Sequence, residues 1–228
     1  MKSVLLCLSM ATAATAWADR PLATNNADVH APGGCVVEVG VERLTESGAP
    51  SATGQGAAFA CGVGLMTEVG LGYARARSSG VTAKSWGVSG KTSLIDRKDN
   101  LPGYSLGWGV DWLSAPGAGT QREGSFLNGI VSAQVAEGLI LHANLGWSHS
   151  RSARQSSTTW GLAAEKSIGA GLELLGEAFG SDRDTSPWVN IGLRWAVVPD
   201  KWFLDAGWAV QTSSTRPKSM TLGLRAEF

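Results

Sequence analysis

The chain of 228 residues is 43% apolar and 17% charged, enough hydrophobic material to exclude a disordered polypeptide. Its 19 basic residues balance its 19 acidic ones, which excludes the strongly basic surface of a nucleic-acid binder. No run of about 18 consecutive apolar residues occurs, so the sequence offers no membrane-spanning helix.

The first twenty residues read MKSVLLCLSMATAATAWADR. Lys2 supplies a positive start, Val4 to Ala14 an apolar core, and Ala16-Trp17-Ala18 the small-x-small form of a signal-peptidase site. Residues 1–18 are therefore expected to be a signal peptide, cleaved after Ala18. Cys7 lies too early in that core for a lipoprotein anchor. Losing Lys2 leaves 18 basic against 19 acidic residues, a net charge of −1 on the exported chain. An exported chain without a membrane helix is either soluble or a membrane barrel. Periodicity separates the two.

Residues 19–34 hold Pro21 and Pro32 and show no alternation. They read as an N-terminal segment that either hangs in the periplasm or lies inside a barrel as a small plug; both stay open. From Cys35 to Phe228 the pattern changes to period two. The candidate strands, in order, are Cys35–Arg43, Gln55–Gly62, Thr67–Ala74, Lys84–Leu94, Gly103–Ser114, Phe126–Val135, Gly138–His149, Thr159–Lys166, Gly171–Phe179, Trp188–Val197, Trp202–Val210 and Met220–Phe228. In the fifth, Tyr104, Leu106, Trp108, Val110 and Trp112 alternate with Ser105, Gly107, Gly109 and Asp111. Alternating runs of this length match membrane-spanning β-strands. The count is about twelve, with ten or fourteen as alternatives because each segment alone carries little signal.

The expected fold is an all-β, antiparallel transmembrane β-barrel over residues 35–228. A soluble β-sandwich also alternates. Three further features favour the barrel: the export signal, the connections and the aromatic positions. Tight turns near 62–66, 136–138, 167–171 and 198–201 alternate with longer Ser/Thr/Arg-rich connections such as HSRSARQSST and QTSSTRPKS. Short periplasmic turns and longer outer loops are the barrel pattern, and this phase puts both termini in the periplasm. The connection IDRKDNLPG is longer than a periplasmic turn should be. Trp86, Trp112, Trp147 and Trp160 fall near outer strand ends and Tyr104, Trp195, Trp202 and Phe228 near inner ends, as aromatic girdles do.

Parity then assigns a lumen face: Glu38, Glu42, Glu68, Lys91, Asp111, His142, Asn144, Glu165, Glu173, Glu177, Arg194, Asp205 and Arg225, with Glu227 beside them. An excess of acids favours cations if the lumen is open. The same charges can instead pair and fill it, and twelve strands lie between packed small barrels and wide porins. The outer connections carry a basic rim of Arg75, Arg77, Arg122, Arg151, Arg154, Arg183, Arg216 and Lys218, suited to lipopolysaccharide phosphates or to anionic solutes. Cys35 and Cys61 stand near the periplasmic ends of adjacent strands. In an oxidising compartment they can form one disulfide. No Cys/His spacing suggests a metal, and no cofactor motif is present. Ser148, His149 and Ser150 are the one place for hydrolytic chemistry at the rim, but neighbours on a strand point to opposite faces, so they form no dyad. No catalytic residue is assigned.

Two resemblances add to this reading. The terminal SMTLGLRAEF, ending in Phe228, resembles the signal read by the bacterial barrel-insertion machinery, which implies that machinery as a partner. The segment RPLATNNADVHAPGGCVVEVGVE, Arg20 to Glu42, resembles the start of a family of bacterial outer-membrane proteins grouped as transporters of the meta-cleavage phenol-degradation pathway. That resemblance implies an outer-membrane barrel that passes small solutes. Members of that family tend to carry Asp-Asp where this chain has Asn25-Asn26. The expected location is the outer membrane of a Gram-negative bacterium. The expected role is a channel for small solutes, with a closed barrel acting through its basic loops as the alternative. Deletion of Phe228 is expected to impair assembly but not export, read as less folded barrel in the outer membrane at unchanged periplasmic delivery.

Overall fold

A computed structural model describes residues 20–98, 101–117, 119–184 and 186–228. The expected signal peptide lies outside the described residues. Twelve strands form one closed antiparallel barrel. They are β1 (Cys35–Glu46), β2 (Ala49–Gly64), β3 (Thr67–Ser78), β4 (Val81–Ile95), β5 (Gly103–Ala115), β6 (Gly119–Ala136), β7 (Leu139–Ser150), β8 (Gln155–Gly169), β9 (Leu172–Ser181), β10 (Trp188–Val198), β11 (Trp202–Gln211) and β12 (Lys218–Glu227). Each strand pairs with its sequence neighbour, and β12 closes on β1 from Val36↔Glu227 to Thr45↔Lys218. Closure leaves no unpaired edge, which hydrocarbon would not tolerate.

Burial along the strands alternates with period two. On β12, Met220 and Leu222 are exposed, while Ser219 is buried. On β10, Val189, Ile191, Leu193, Trp195 and Val197 face out, and Trp188, Asn190 and Arg194 are buried. Among the described residues the buried side chains are fifteen polar or charged and nine apolar, the inverse of a soluble core. The exposed Val, Leu and Trp therefore form the lipid-facing band, and the polar set lines the lumen. The band ends in aromatics: Trp86 stacks on Trp112 with ring centroids 4.2 Å apart, and Trp147, Trp160, Trp195, Trp202, Tyr104 and Phe228 are all exposed.

The connections differ from expectation at the end opposite the termini. There β1 and β2 are joined by Ser47 and Gly48 alone, and β3 and β4 by Ser79 and Gly80. The Ser/Thr/Arg-rich stretches expected as loops continue the ladder instead. Ala52 pairs with Ser78 and Arg77 with Thr82, so β2 begins at Ala49 and not near Gln55. Thr and Ala sit well in a ladder once a tight turn is available, and Ser79 and Gly80 both adopt positive φ, the requirement of a two-residue hairpin turn. Likewise β6 starts at Gly119, seven residues before the expected Phe126. Among the described residues, 151–154, 182–184, 186–187 and 212–217 remain outside strands as the longer connections at that end. Consequently Arg75, Arg77, Arg122 and Lys218 of the expected loop rim lie on strands, and Arg151, Arg154, Arg183 and Arg216 lie in loops.

Replacing Leu222, an outward residue that is 61% exposed in the middle of β12, with Arg is expected to cost about 2–4 kcal/mol. The lumen-facing change Ala209→Ser is expected to stay within about 0.5 kcal/mol. Equilibrium refolding into lipid vesicles reads both.

Candidate functional site

The lumen contains the chain's own N-terminal segment. Residues 20–34 run along the inner wall from β11 and β10 back to β1, meeting inward-facing groups of most strands on the way. The Arg20 carbonyl accepts a bond from Arg194 Nη2, and the Pro21 carbonyl accepts from Asn190 Nδ2 at 2.9 Å. The Glu177 carboxylate accepts from the backbone N–H of Ala23 at 2.7 Å and of Thr24 at 2.9 Å, and from Asn190 Nδ2 at 2.8 Å. Asn144 accepts from the Asn25 N–H at 2.8 Å and donates to the Asn25 carbonyl at 2.9 Å, an amide copying a backbone ladder. Asn128 Nδ2 donates to the same Asn144 oxygen at 3.0 Å.

Farther along, the Ala27 N–H donates to Ser132 Oγ at 2.8 Å, and Ser105 Oγ donates to the Ala27 carbonyl. Ser132 Oγ in turn meets His142 Nδ1 at 2.7 Å, so His142 braces the wall behind the segment. Lys91 Nζ donates to the Asn26 carbonyl at 3.3 Å and lies 3.3 Å from Glu68. Glu68 also accepts from the His30 N–H at 3.0 Å and meets His30 Nδ1 at 2.7 Å. Gly33 N–H donates to the Gly62 carbonyl, and Gly62 N–H to the Gly34 carbonyl, where the segment enters β1. A buried backbone needs partners for its polar groups, and the wall supplies them.

Small residues make the room. A Cβ at Gly192 would stand 2.7 Å from Pro21 Cγ, and one at Gly207 3.0 Å from Pro21 Cβ. One at Gly62 would run into the His30 and Ala31 carbonyls, one at Gly40 into the Arg20 guanidinium, and one at Gly161 would come within 2.5 Å of the Thr24 hydroxyl. Leu22, Thr24 and Ala27 are consequently buried, at 3%, 1% and 2% exposure. The long connection between β4 and β5 also serves the segment. Its Arg97 reaches Asp28 through both carboxylate oxygens, at 3.2 and 2.6 Å. That hydrogen bond raises the Arg97 guanidinium above its ordinary value.

Most of the lumen charges expected from parity are engaged at this level. Arg194 lies 3.6 Å from Glu165 and 3.3 Å from Glu173, and Arg225 lies 3.9 Å from Glu38 and 2.7 Å from Glu227. Asp205 is buried, with Arg20, Arg194 and Arg225 as its facing charges. Toward the end opposite the termini the inner wall changes character. On β2 to β4 its residues are the small groups Gly54, Gly56, Ala74, Ala76, Ser85 and Gly87, while on β9 and β10 the stacked rings of Phe179 and Trp188 face inward. Glu42, which accepts from Ser219, and Asp111 face this part of the lumen. Glu123 at the same end accepts from Ser150 and Ser152, both at 2.7 Å.

Cys35 and Cys61 are direct cross-strand partners on β1 and β2 and are joined by a disulfide with an S–S distance of 2.02 Å. It lies beside the point where the segment passes Gly62. At the rim, His149 faces outward and its Nδ1 meets Ser156 Oγ at 3.0 Å; Ser150 is held by Glu123. The three neighbours Ser148, His149 and Ser150 therefore do not converge. No hydrogen-bonding group orients the far nitrogen of His149 among the described residues. Sequence reasoning missed Asn128, Asn190, Ser105, Ser132 and the pair Asp28–Arg97. The Asn and Ser residues share the inward parity of Asn144 and were legible on that ground.

The family model described as "Uncharacterised conserved protein UCP029691" matches residues 4–224. The chain belongs to that family. No curated protein matches it by sequence. Among solved structures, an outer-membrane channel from Pseudomonas putida F1 superposes with a TM-score of 0.61 at 10% identity, over 89% of this chain and 98% of that one. The KdgM porin gives 0.58 at 11% identity, over 84% of this chain and 99% of that one. The translocator domain of the autotransporter NalP from Neisseria meningitidis gives 0.57 at 14% identity, over 100% and 98%. At these identities the likeness is one of fold, and the fold is the barrel of Gram-negative outer-membrane proteins.

Glu177→Ala is expected to loosen the segment. Amide exchange at Ala23 and Thr24 should accelerate roughly ten- to a hundredfold, as loss of hydrogen bonds to a charged acceptor implies. Strand amides should keep their protection.

Proposed function

We propose that the protein is an outer-membrane channel for small solutes, closed down at one level by its own residues 20–34. The observation that carries this reading is the lumen itself: a largely polar wall whose glycines, and whose carboxylates Glu177 and Glu68, are fitted to the backbone of residues 20–34. A barrel meant only as a scaffold can fill its interior with its own side chains. Here the filling comes from a segment attached at one end, held by hydrogen bonds that water can replace.

The same reading places the termini in the periplasm, puts residues 1–18 in the role of export signal, and makes the final strand with Phe228 the handle for the barrel-insertion machinery. The end of the lumen opposite the termini then opens outward, and its inward-facing charges Glu42 and Asp111 favour cations over anions at the mouth. The resemblance of Arg20–Glu42 to transporters of the meta-cleavage phenol-degradation pathway points to small aromatic compounds as the solute class. In this chain Asn25 and Asn26, where that family tends to carry Asp-Asp, bond through their backbone to Asn144 and Lys91. The CymD monoaromatic hydrocarbon channel shares the fold, at a TM-score of 0.51 and 8% identity.

Single-channel conductance in a planar bilayer tests the proposal. The refolded chain from Asp19 should conduct weakly, and a version lacking residues 19–31 should conduct several-fold more, with cation preference reduced by Glu42→Gln and Asp111→Asn. A shortened barrel that folds and inserts but stays silent would replace the channel with a closed surface-interaction protein.

A further inference from the structure

The outward face of the barrel carries a cluster of cations that nothing among the described residues balances. Arg43 on β1, Arg75 and Arg77 on β3 and Lys84 on β4 are all exposed and all point away from the lumen. Arg75 and Lys84 are register partners across the β3–β4 ladder. Arg77 and Arg43 are both register partners of Thr53, which stands between them on β2. Like charges directly opposite on a sheet are destabilising. Yet none of the four has an ion-pair or hydrogen-bond partner among the described residues. The outward positions of β1 to β4 contain no Asp or Glu. The lumen shows the contrast: Lys91, Arg194 and Arg225 each sit against carboxylates.

Depth identifies what should lie there. Two residues below Arg75 is exposed Tyr73, two beyond Lys84 is Trp86 in its stack with Trp112, and two below Arg43 is Val41. Two residues along a strand is about 7 Å, so the cations stand just above the aromatic edge of the apolar band. That is the depth of lipid headgroups. At that depth an Arg fork and an ammonium suit phosphate oxygens.

We propose that Arg43, Arg75, Arg77 and Lys84 form a binding site for an anionic membrane lipid whose headgroup carries phosphate monoesters, seated on β1–β4 with its acyl chains along Val41, Tyr73 and Trp86. The lipid phosphates supply the negative charge that the opposed Arg75 and Lys84 lack. The site is outside the lumen and does not depend on conduction.

Native mass spectrometry of the detergent-solubilised barrel tests it, with bisphosphorylated lipid A, its monophosphorylated form, phosphatidylethanolamine and inorganic phosphate as probes. The bisphosphorylated lipid should be retained most strongly, and inorganic phosphate at equal concentration should not displace it. The double change Arg75→Gln and Lys84→Gln should weaken retention by roughly 30-fold, the effect of two cations at a charged membrane surface. Arg154→Gln with Arg183→Gln, in the loops, should leave it unchanged. In lipid-free detergent the Arg75→Gln and Lys84→Gln barrel should be at least as heat-resistant as the parent, because a repulsion has gone. Equal retention by that variant, equal retention of phosphatidylethanolamine, displacement by inorganic phosphate, or a loss of heat resistance without lipid would each overturn the proposal.

Discussion

Hydrocarbon offers a peptide group no hydrogen-bond partner, and every other feature of this protein follows from meeting that constraint. Twelve strands satisfy one another only because β12 returns to β1, so the seam between them is as necessary as any interior pair. Closure turns every outward side chain toward lipid and every inward one toward a shared cavity. Polarity then has one place to go. The buried set of Glu, Asn, Ser and Arg is a consequence of the wall, not of a site built for its own sake.

Once such a cavity exists it must be filled by water, by side chains or by chain. Here chain takes part of the space. The segment's backbone brings donors to Glu177 and Glu68 and acceptors to Arg194, Lys91 and Asn190. The wall answers with glycine where the segment comes nearest. Burial of Leu22 and Ala27 adds a small apolar contribution to a contact that is otherwise polar. Polar contacts of this sort can exchange with water, with a net worth of about 1 kcal/mol for a neutral pair and about 1.5–3 kcal/mol where one partner is charged. The arrangement is therefore specific in position and modest in strength.

The barrel was legible in the sequence because period two survives any detail of packing. Trp188–Val197 and Trp202–Val210 coincide with β10 and β11 to within a residue or two. What the sequence hid was where alternation stops. Thr53, Ala76 and Thr82 look like loop composition, but a two-residue turn at Ser79-Gly80 lets them pair. The lumen face was readable by parity for its charges, and Glu177 and Arg194 stand where parity puts them. Their partners were not readable, since residues 20–34 have no periodicity and their contacts with the wall are 28 to 174 positions away in sequence. The long connection holding Arg97 was anomalous as a turn, and its reason, Asp28, became visible only in three dimensions.

The segment joins β1 at the same end of the barrel where Cys61 is bonded to Cys35. No part of the chain has to pass through the wall for residues 20–34 to come or go. In the proposed channel they are a leash staked at its root, with fifteen residues that would reach about 50 Å when fully drawn out. A leash of that reach can leave the cavity by the end at which it is tied and still return to the same berth. The staple at Cys35–Cys61 ties that root to the wall beside Gly62.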